Sequence, residues 1–320
     1  MTAPPPRSGH CLLTITDDGF IDGTEMLLFS FLRHNPWFAG RILVLAGGPL
    51  GEASKARLRA LAKVEFIAPG ADLDARVASL TQAIPALKRA GPRFASLEAF
   101  GLVDFERVVY IDSDAFVTGD LSPLFFGEHL DGRPLLASPD GSRYDELLGD
   151  AEAAREANRQ RYGVALSACF NSGVLSIGGD CLQRHVRDAL VASIDPAFWR
   201  EVETVGWTDQ LILNRHFAGR AALLDGRWNY MPILEAKIRR AHRLHCFDAR
   251  IVHMAGRCKP WETPPDDLFE QAPGLAKFYE LWRQLRALLP GAADAACDTT
   301  RETRGMQPVM RPRTEPEPTP

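Results

Sequence analysis

An α/β fold, with a mostly parallel central sheet flanked by helices on both faces, is the class this sequence predicts. Short runs of consecutive apolar residues, the mark of strands buried on both faces, recur through the first half of the chain. Segments with apolar residues at helical spacing separate them, as strand–helix–strand units require. Acidic residues also stand where two of the strands run out, Asp17 and Asp18 after one, Asp112 and Asp114 after another. In such sheets, ligands bind beyond the carboxyl ends of the strands.

The elements follow in order. Cys11–Thr16 reads as the first strand. Thr24 to Asn35 carries Met26, Leu27, Phe29, Ser30 and Leu32 at helical spacing and stops before Pro36. Arg41–Ala46 is a second strand, closed by Gly47-Gly48-Pro49, Glu52 to Ala62 a helix, and Val64–Ile67 a third strand. The Gly-Gly-Pro lacks the Gly-x-Gly-x-x-Gly spacing of a dinucleotide loop and reads as a turn. Ser96 to Leu102 fits a short helix before Arg107–Ile111, a β-branched and aromatic strand. The second half is less regular: a strand at Gly173–Gly178, a helix over Asp209–Phe217, a short strand at Arg250–His253 and a closing amphipathic helix from Leu275 to Leu289. Asp140 to Tyr162 is polar and reads either as a flexible excursion beside a site or as surface helix and loop. Within it, the charges from Arg155 to Arg161 suit a solvated helix face.

Composition bounds the function. The net charge of −4 over 320 residues argues against a broad basic surface for nucleic acid. Six cysteines show no paired spacing, no signal peptide precedes Cys11, and no run is long enough to span a membrane. A reduced, cytoplasmic protein is expected, with peripheral membrane attachment left open. Residues 1–8 read as a flexible, proline-rich lead-in, 9–290 as the folded domain, and 291–320 as a disordered tail too poor in apolar surface to offset ordering entropy.

The chemistry centres on Asp112-Ser113-Asp114. Carboxylates at i and i+2 on a strand end can converge on one hard cation, and magnesium-type ions commonly take phosphate oxygens as further ligands. A second run, His253-Met-Ala-Gly256-Arg-Cys-Lys259-Pro-Trp261, offers an imidazole to complete a metal site. Gly256 permits close backbone approach to a ligand, and Lys259 is a point charge for a phosphate. His242, His245, Cys246, His253 and Cys258 fit no common structural zinc spacing. Trp199, Trp207 and Trp282 read as packing residues, with Trp207 close enough to Asp209 to stay open as a stacking platform for a ligand.

Taken in order, Val-Val-Tyr-Ile-Asp-Ser-Asp, Phe170-Asn-Ser-Gly-Val-Leu175, Asp209-Gln210 with Leu213-Asn214, Trp228-Asn229 and His-x-x-Gly-x-x-Lys-Pro-Trp resemble the glycogenin-like family of retaining glycosyltransferases, family 8, over residues 11 to 262. The resemblance implies a GT-A fold in a single domain with a Rossmann-like nucleotide-binding half. It implies transfer of a hexose from a UDP-sugar to an acceptor with retention of configuration, dependent on a divalent metal, usually manganese, with magnesium as the alternative. The acceptor is left open among a glycan, a lipid-linked sugar, a small molecule and a protein. By position, Asp112, Asp114 and His253 would hold the metal, and Ser113, Lys259 and Gly256 would lie at the diphosphate. Thr16, Asp17 and Asp18 would line the uridine pocket. Asn171, Ser172, Asp209 and Gln210 would surround the sugar, with Asp209 as the nucleophile if a covalent intermediate forms. Trp228 and Asn229 would fall near the acceptor.

Two departures stand out. Ser96 occupies the position of a basic residue common in the family, with Arg93 as a substitute from the preceding turn, and Asp17-Asp18-Gly19-Phe20 lacks the more usual tyrosine. One rival is a nucleotide-sugar-binding protein without activity. Another is a haloacid-dehalogenase-type phosphatase, whose Asp-x-Asp carries the nucleophile. That motif continues into Gly-Thr on a first strand, whereas Ala115-Phe116 follow here.

Overall fold

The computed structural model describes residues 9–127, 134–162, 169–201, 208–217, 219–256 and 259–290. The expected lead-in and tail, Trp207, Cys258 and Cys297 lie outside the described residues. The strands are β1 (His10–Thr16), β2 (Arg41–Ala46), β3 (Val64–Ile67), β4 (Arg107–Ile111), β5 (Ala115–Val117), β6 (Leu135–Pro139), β7 (Phe170–Gly178), β8 (Ala222–Leu223) and β9 (Ile251–His253). The helices are α1 (Ile21–His34), α2 (Glu52–Leu61), α3 (Ala71–Ala83), α4 (Ser122–Phe126), α5 (Gly141–Leu147), α6 (Ala151–Tyr162), α7 (Arg184–Ala192), α8 (Pro196–Glu201), α9 (Thr208–His216), α10 (Glu235–His242), α11 (Leu268–Gln271) and α12 (Ala276–Arg286).

Seven strands form one sheet in the order β3-β2-β1-β4-β7-β6-β8, and β5 and β9 pair in a second, two-stranded sheet. The first four strands run parallel, with Leu13 opposite both Leu43 and Tyr110. The chain order turns between β1 and β4, so the switch point, where open α/β sheets take their ligands, lies between their carboxyl ends. Asp17 and Asp112 each stand one residue past those ends.

Alternation along β1 builds two cores at once. Leu12 points to the cluster formed with Leu27, Leu28 and Phe31 of α1 and Leu58 of α2. Cys11 and Leu13 point to the other face, covered by α3, α7 and α9 through Leu73, Leu80, Leu190 and Leu213. A third cluster packs α12 beside α1 and β9, through Phe278, Trp282, Met26 and Val252.

Two elements differ from the sequence expectation. The helix expected over 96–102 is part of a longer run of 3₁₀ turns, Pro85–Gly101. Pro92 inside it has no N–H to give to an α-helical ladder. This run is clamped from outside: Arg187 of α7 pairs with Glu98 at 2.5 Å and also with Asp72 of α3. The strand expected over 173–178 begins earlier, at Phe170, and runs antiparallel to both β4 and β6. No helix among the described residues is long and apolar enough to cross a membrane.

Candidate active site

Sheet register assembles the site. Tyr110 and Asp112 lie two apart as the chain leaves β4, and a turn closed by the Ala115 N–H on the Asp112 carbonyl at 3.1 Å carries Asp114. β5 follows at once and pairs antiparallel with β9, so Ala115 lies opposite His253. That register delivers the imidazole to the carboxylates. His253 Nε2 is 3.1 Å from Asp114 Oδ1 and 3.6 Å from Asp112 Oδ2. Ligand atoms of the three residues all lie within 4.8 Å of one another, the only such group of three or more among the described residues.

A glycine makes the approach possible. Gly173, opposite Asp112 on β7, gives its carbonyl to the Asp112 N–H at 2.8 Å. A Cβ there would stand 2.3 Å from His253 Cε1 and 2.8 Å from Asp112 Oδ2. The Asn-Ser-Gly run in the sequence held that signal, although only Asn171 and Ser172 had been given roles. Gly23 of α1 does the same beside Ser113, where a Cβ would meet the Ser113 carbonyl oxygen at 2.4 Å and the Trp261 ring at 2.6 Å.

Lys259 completes the cluster. Its ammonium sits on the Asp114 carboxylate and donates to the Met254 carbonyl at 3.0 Å. Trp261 anchors the loop that carries it, edge-on to Phe20 at 5.7 Å and tilted against Trp282 at 6.2 Å. Gly256, at φ +125, holds a backbone conformation that an L side chain rarely adopts.

The two carboxylates differ in how firmly they would hold a proton. Burial raises Asp112 to about 6 against the pull of His253, and repulsion from Asp114 adds to the rise. Burial also acts upward on Asp114, but His253 and Lys259 outweigh it and hold that carboxyl well below the usual range. Burial would lower His253, yet Asp114 and Asp112 overcome it and raise the imidazole above its ordinary value. Sequence reasoning had passed over Tyr110. Burial, with Asp112 and Asp209 nearby, keeps its phenol protonated, and the phenol donates to Asp112 Oδ1.

A second polar group lies alongside. Asn171 Nδ2 donates to Gln210 Oε1 at 3.0 Å, and the Ser172 N–H reaches the same oxygen at 3.4 Å. Asp209, at the start of α9, accepts from the Ser96 hydroxyl at 3.1 Å and from Thr208 at 3.1 Å. At Ser96, where the resemblance implies a basic residue, a buried hydroxyl therefore meets the carboxylate. Asn229 is fully buried behind His253, and Trp228 packs on the α1 side of the sheet. Arg93 is exposed on the 3₁₀ run.

The end of β1 is built differently. The Thr16 hydroxyl accepts from Thr24 at 2.6 Å, Asp17 caps the Phe20 N–H at 3.0 Å, and Asp18 Oδ1 accepts from Gly51 N–H and Ser54 at 2.9 and 2.6 Å. The Gly47-Gly48-Pro49 turn closes on the same edge, with Asp18 N–H donating to the Pro49 carbonyl at 2.9 Å. Trp199 and Trp282 pack as expected, Trp199 edge-on to Phe94.

Two carboxylates, one imidazole and a glycine cradle shaped around them are a donor set that fits a hard or borderline divalent cation. Residues 92–264, more than half of the chain, match the family model of glycosyl transferase family 8. The chain belongs to this family. The phosphatase reading of Asp-x-Asp is thereby set aside. Among family 8 relatives, the glycosyltransferase GlyF of Streptococcus pneumoniae serotype 4 is 28% identical over 189 residues, 58% of this chain and 39% of that protein. The chain thus spans about two-fifths of the length of that curated relative. Among solved structures, galactosyltransferase LgtC in complex with donor and acceptor sugar analogs superposes with a TM-score of 0.62 at 24% identity, covering 88% of this chain and 97% of LgtC. The apo form of the glycosyltransferase GlyE of Streptococcus pneumoniae TIGR4 gives 0.56 at 21% identity, over 92% of this chain and 64% of GlyE. These likenesses carry the fold, which is GT-A.

Proposed function

We propose that this family 8 glycosyltransferase moves a hexose from a UDP-sugar to an acceptor, with retention, at a divalent metal centre formed by Asp112, Asp114 and His253. The observation that carries this reading is the convergence of those three side chains with Lys259 at the sheet's switch point. A divalent ion held there, manganese or magnesium, would act as a Lewis acid on the departing diphosphate. Lys259 supplies a second positive charge to that leaving group, the open backbone at Gly256 lets it approach, and Ser113 lies between the two carboxylates at the diphosphate. Thr16, Asp17 and Asp18, one strand away, line the uridine pocket.

Asn171, Ser172, Asp209 and Gln210 face the sugar, offering amide, hydroxyl and carboxylate groups that discriminate among hexose hydroxyls. Retention requires either a covalent intermediate or attack on the face the diphosphate leaves. Asp209 is the carboxylate placed for the first route. Ser96 and Thr208 bonds to it fix its orientation.

The test is a panel of UDP-hexoses, including the N-acetylated forms, assayed for UDP release with Mn2+ and again in EDTA. Turnover of at least one donor in Mn2+ and its loss in EDTA is expected. No turnover with any donor, or full turnover in EDTA, would contradict the proposal.

A further inference from the structure

Behind His253 runs a buried chain of amides whose direction one backbone group sets. The Gly173 N–H donates to Asn171 Oδ1 at 2.9 Å, which fixes which end of that amide is oxygen. The same oxygen accepts from Asn229 Nδ2 at 2.8 Å. Asn229 must then present Oδ1 to His253 Nδ1, 2.9 Å away, and the imidazole must carry its proton on that nitrogen. At the other end, Asn171 Nδ2 donates to Gln210 Oε1 at 3.0 Å. His253, Asn229, Asn171 and Gln210 form one relay, and Asn229 in its middle is 0% exposed.

We infer that Asn229 is a positioning residue. It holds the His253 ring with Nδ1 protonated, which leaves Nε2 to face a cation held between it and the carboxylates, and through Asn171 it ties that orientation to Gln210. The inference rests on the metal reading given above. Two physical arguments support it. A polar side chain buried this completely costs stability unless its groups are paired, and an apolar residue of similar size would strand His253 Nδ1–H and leave Asn171 Oδ1 with the Gly173 N–H as its remaining donor. The partner is also neutral. Metal-bound histidines often lean on a carboxylate, but Asp112 and Asp114 already bring two negative charges, and an amide orients the ring without adding a third. An amide also donates onward, which a carboxylate cannot do. The link to Asn171, and so to Gln210, exists only because residue 229 is Asn.

Three forms of the whole chain separate these roles, read by calorimetric Mn2+ binding without nucleotide. Asn229→Ala removes the acceptor for His253 and should weaken Mn2+ by about 10- to 100-fold, the usual cost of losing an outer partner of a metal histidine. Asn229→Asp restores that acceptor and should bind Mn2+ at least as tightly as the native chain. Its carboxylate faces Asn171 Oδ1 with two lone pairs, so Asn171 must turn and release Gln210. UDP-sugar turnover should therefore fall in kcat while metal affinity holds. Nitrogen-15 spectra of the Mg2+-saturated native chain read the ring directly and need no variant to fold: His253 should carry its proton on Nδ1. Three results would overturn the role of Asn229. These are undiminished Mn2+ affinity in Asn229→Ala, equal loss in folded Asn229→Asp and Asn229→Ala, or a bare Nδ1 in the Mg2+ form. A native chain that binds no Mn2+ overturns the metal reading itself, and this inference with it.

Discussion

Two pairs of acidic residues end neighbouring parallel strands of one sheet, and the fold uses them in opposite ways. Asp17 and Asp18, past β1, are satisfied by neutral donors, the Phe20 N–H for the first and the Gly51 N–H and Ser54 hydroxyl for the second. Asp112 and Asp114, past β4, are met by side chains from far along the chain. His253 and Lys259 reach Asp114, and Asp112 is left in a half-buried position that raises its pKa to about 6. A carboxylate whose lone pairs are taken by neutral N–H and hydroxyl donors fixes the loops it joins. One pressed against another carboxylate and an imidazole stores an electrostatic demand that a cation satisfies. Position at a strand end was common to both pairs, so the surroundings decide the chemistry.

The sharpest break of this comparison is Asp114→Asn. Removing a direct ligand should weaken Mn2+ by more than about 100-fold, beyond the cost of an outer partner, with the circular dichroism spectrum retained. Gly173→Ala comes next. The added Cβ, 2.3 Å from His253 Cε1, must displace the ring, and Mn2+ affinity should drop by about 10- to 100-fold although no ligand is changed. An unaltered affinity would show that the cradle is not required.

Proton competition gives a smaller, graded effect. The cation binds deprotonated Asp112, whose carboxyl is raised to about 6. His253 must also be neutral to bind, and its imidazole is raised above its ordinary value. Mn2+ affinity should therefore already decline as pH drops through the imidazole range and steepen below about 6, toward about a hundredfold per unit, as two protons are displaced. Calorimetry across pH 5 to 7.5, flanking the cited value of about 6, would check it, and a flat profile would remove Asp112 from the ligand set. Smallest is Asp17→Ala. Loss of the cap on the Phe20 N–H should cost about 1 kcal/mol in thermal or denaturant unfolding and leave Mn2+ affinity unchanged. If Asp17 lines the uridine pocket as proposed, UDP affinity should fall in the same variant.

Much of the first region was legible in the sequence, because β1, β2 and β4 are apolar on both faces and announce their ends with Asp or Gly. Asp112, Asp114, His253 and Lys259 were also legible, through the order of their motifs along the chain. What stayed hidden depends on contacts between distant residues. The direction of β7 is set by its neighbours, since an apolar run reads the same for either orientation. The 3₁₀ run over Pro85–Gly101 carries a helical apolar pattern that Pro92 keeps from closing as an α-helix. Asn229 and His253 are 24 residues apart and meet only because Tyr230 bridges to Val252. Tyr110 was read as a strand residue, and its position two before Asp112 was the overlooked clue.

The most direct test of the account is calorimetric binding of UDP, with ADP and GDP as controls, first in Mn2+ and then in EDTA, to the native chain and to Asp114→Asn. The account predicts that the native chain selects UDP in Mn2+ and loses it in EDTA, and that Asp114→Asn behaves in Mn2+ as the native chain does in EDTA. UDP bound equally well in EDTA, or by Asp114→Asn, would contradict a cation held by Asp112, Asp114 and His253 as the element that binds the donor.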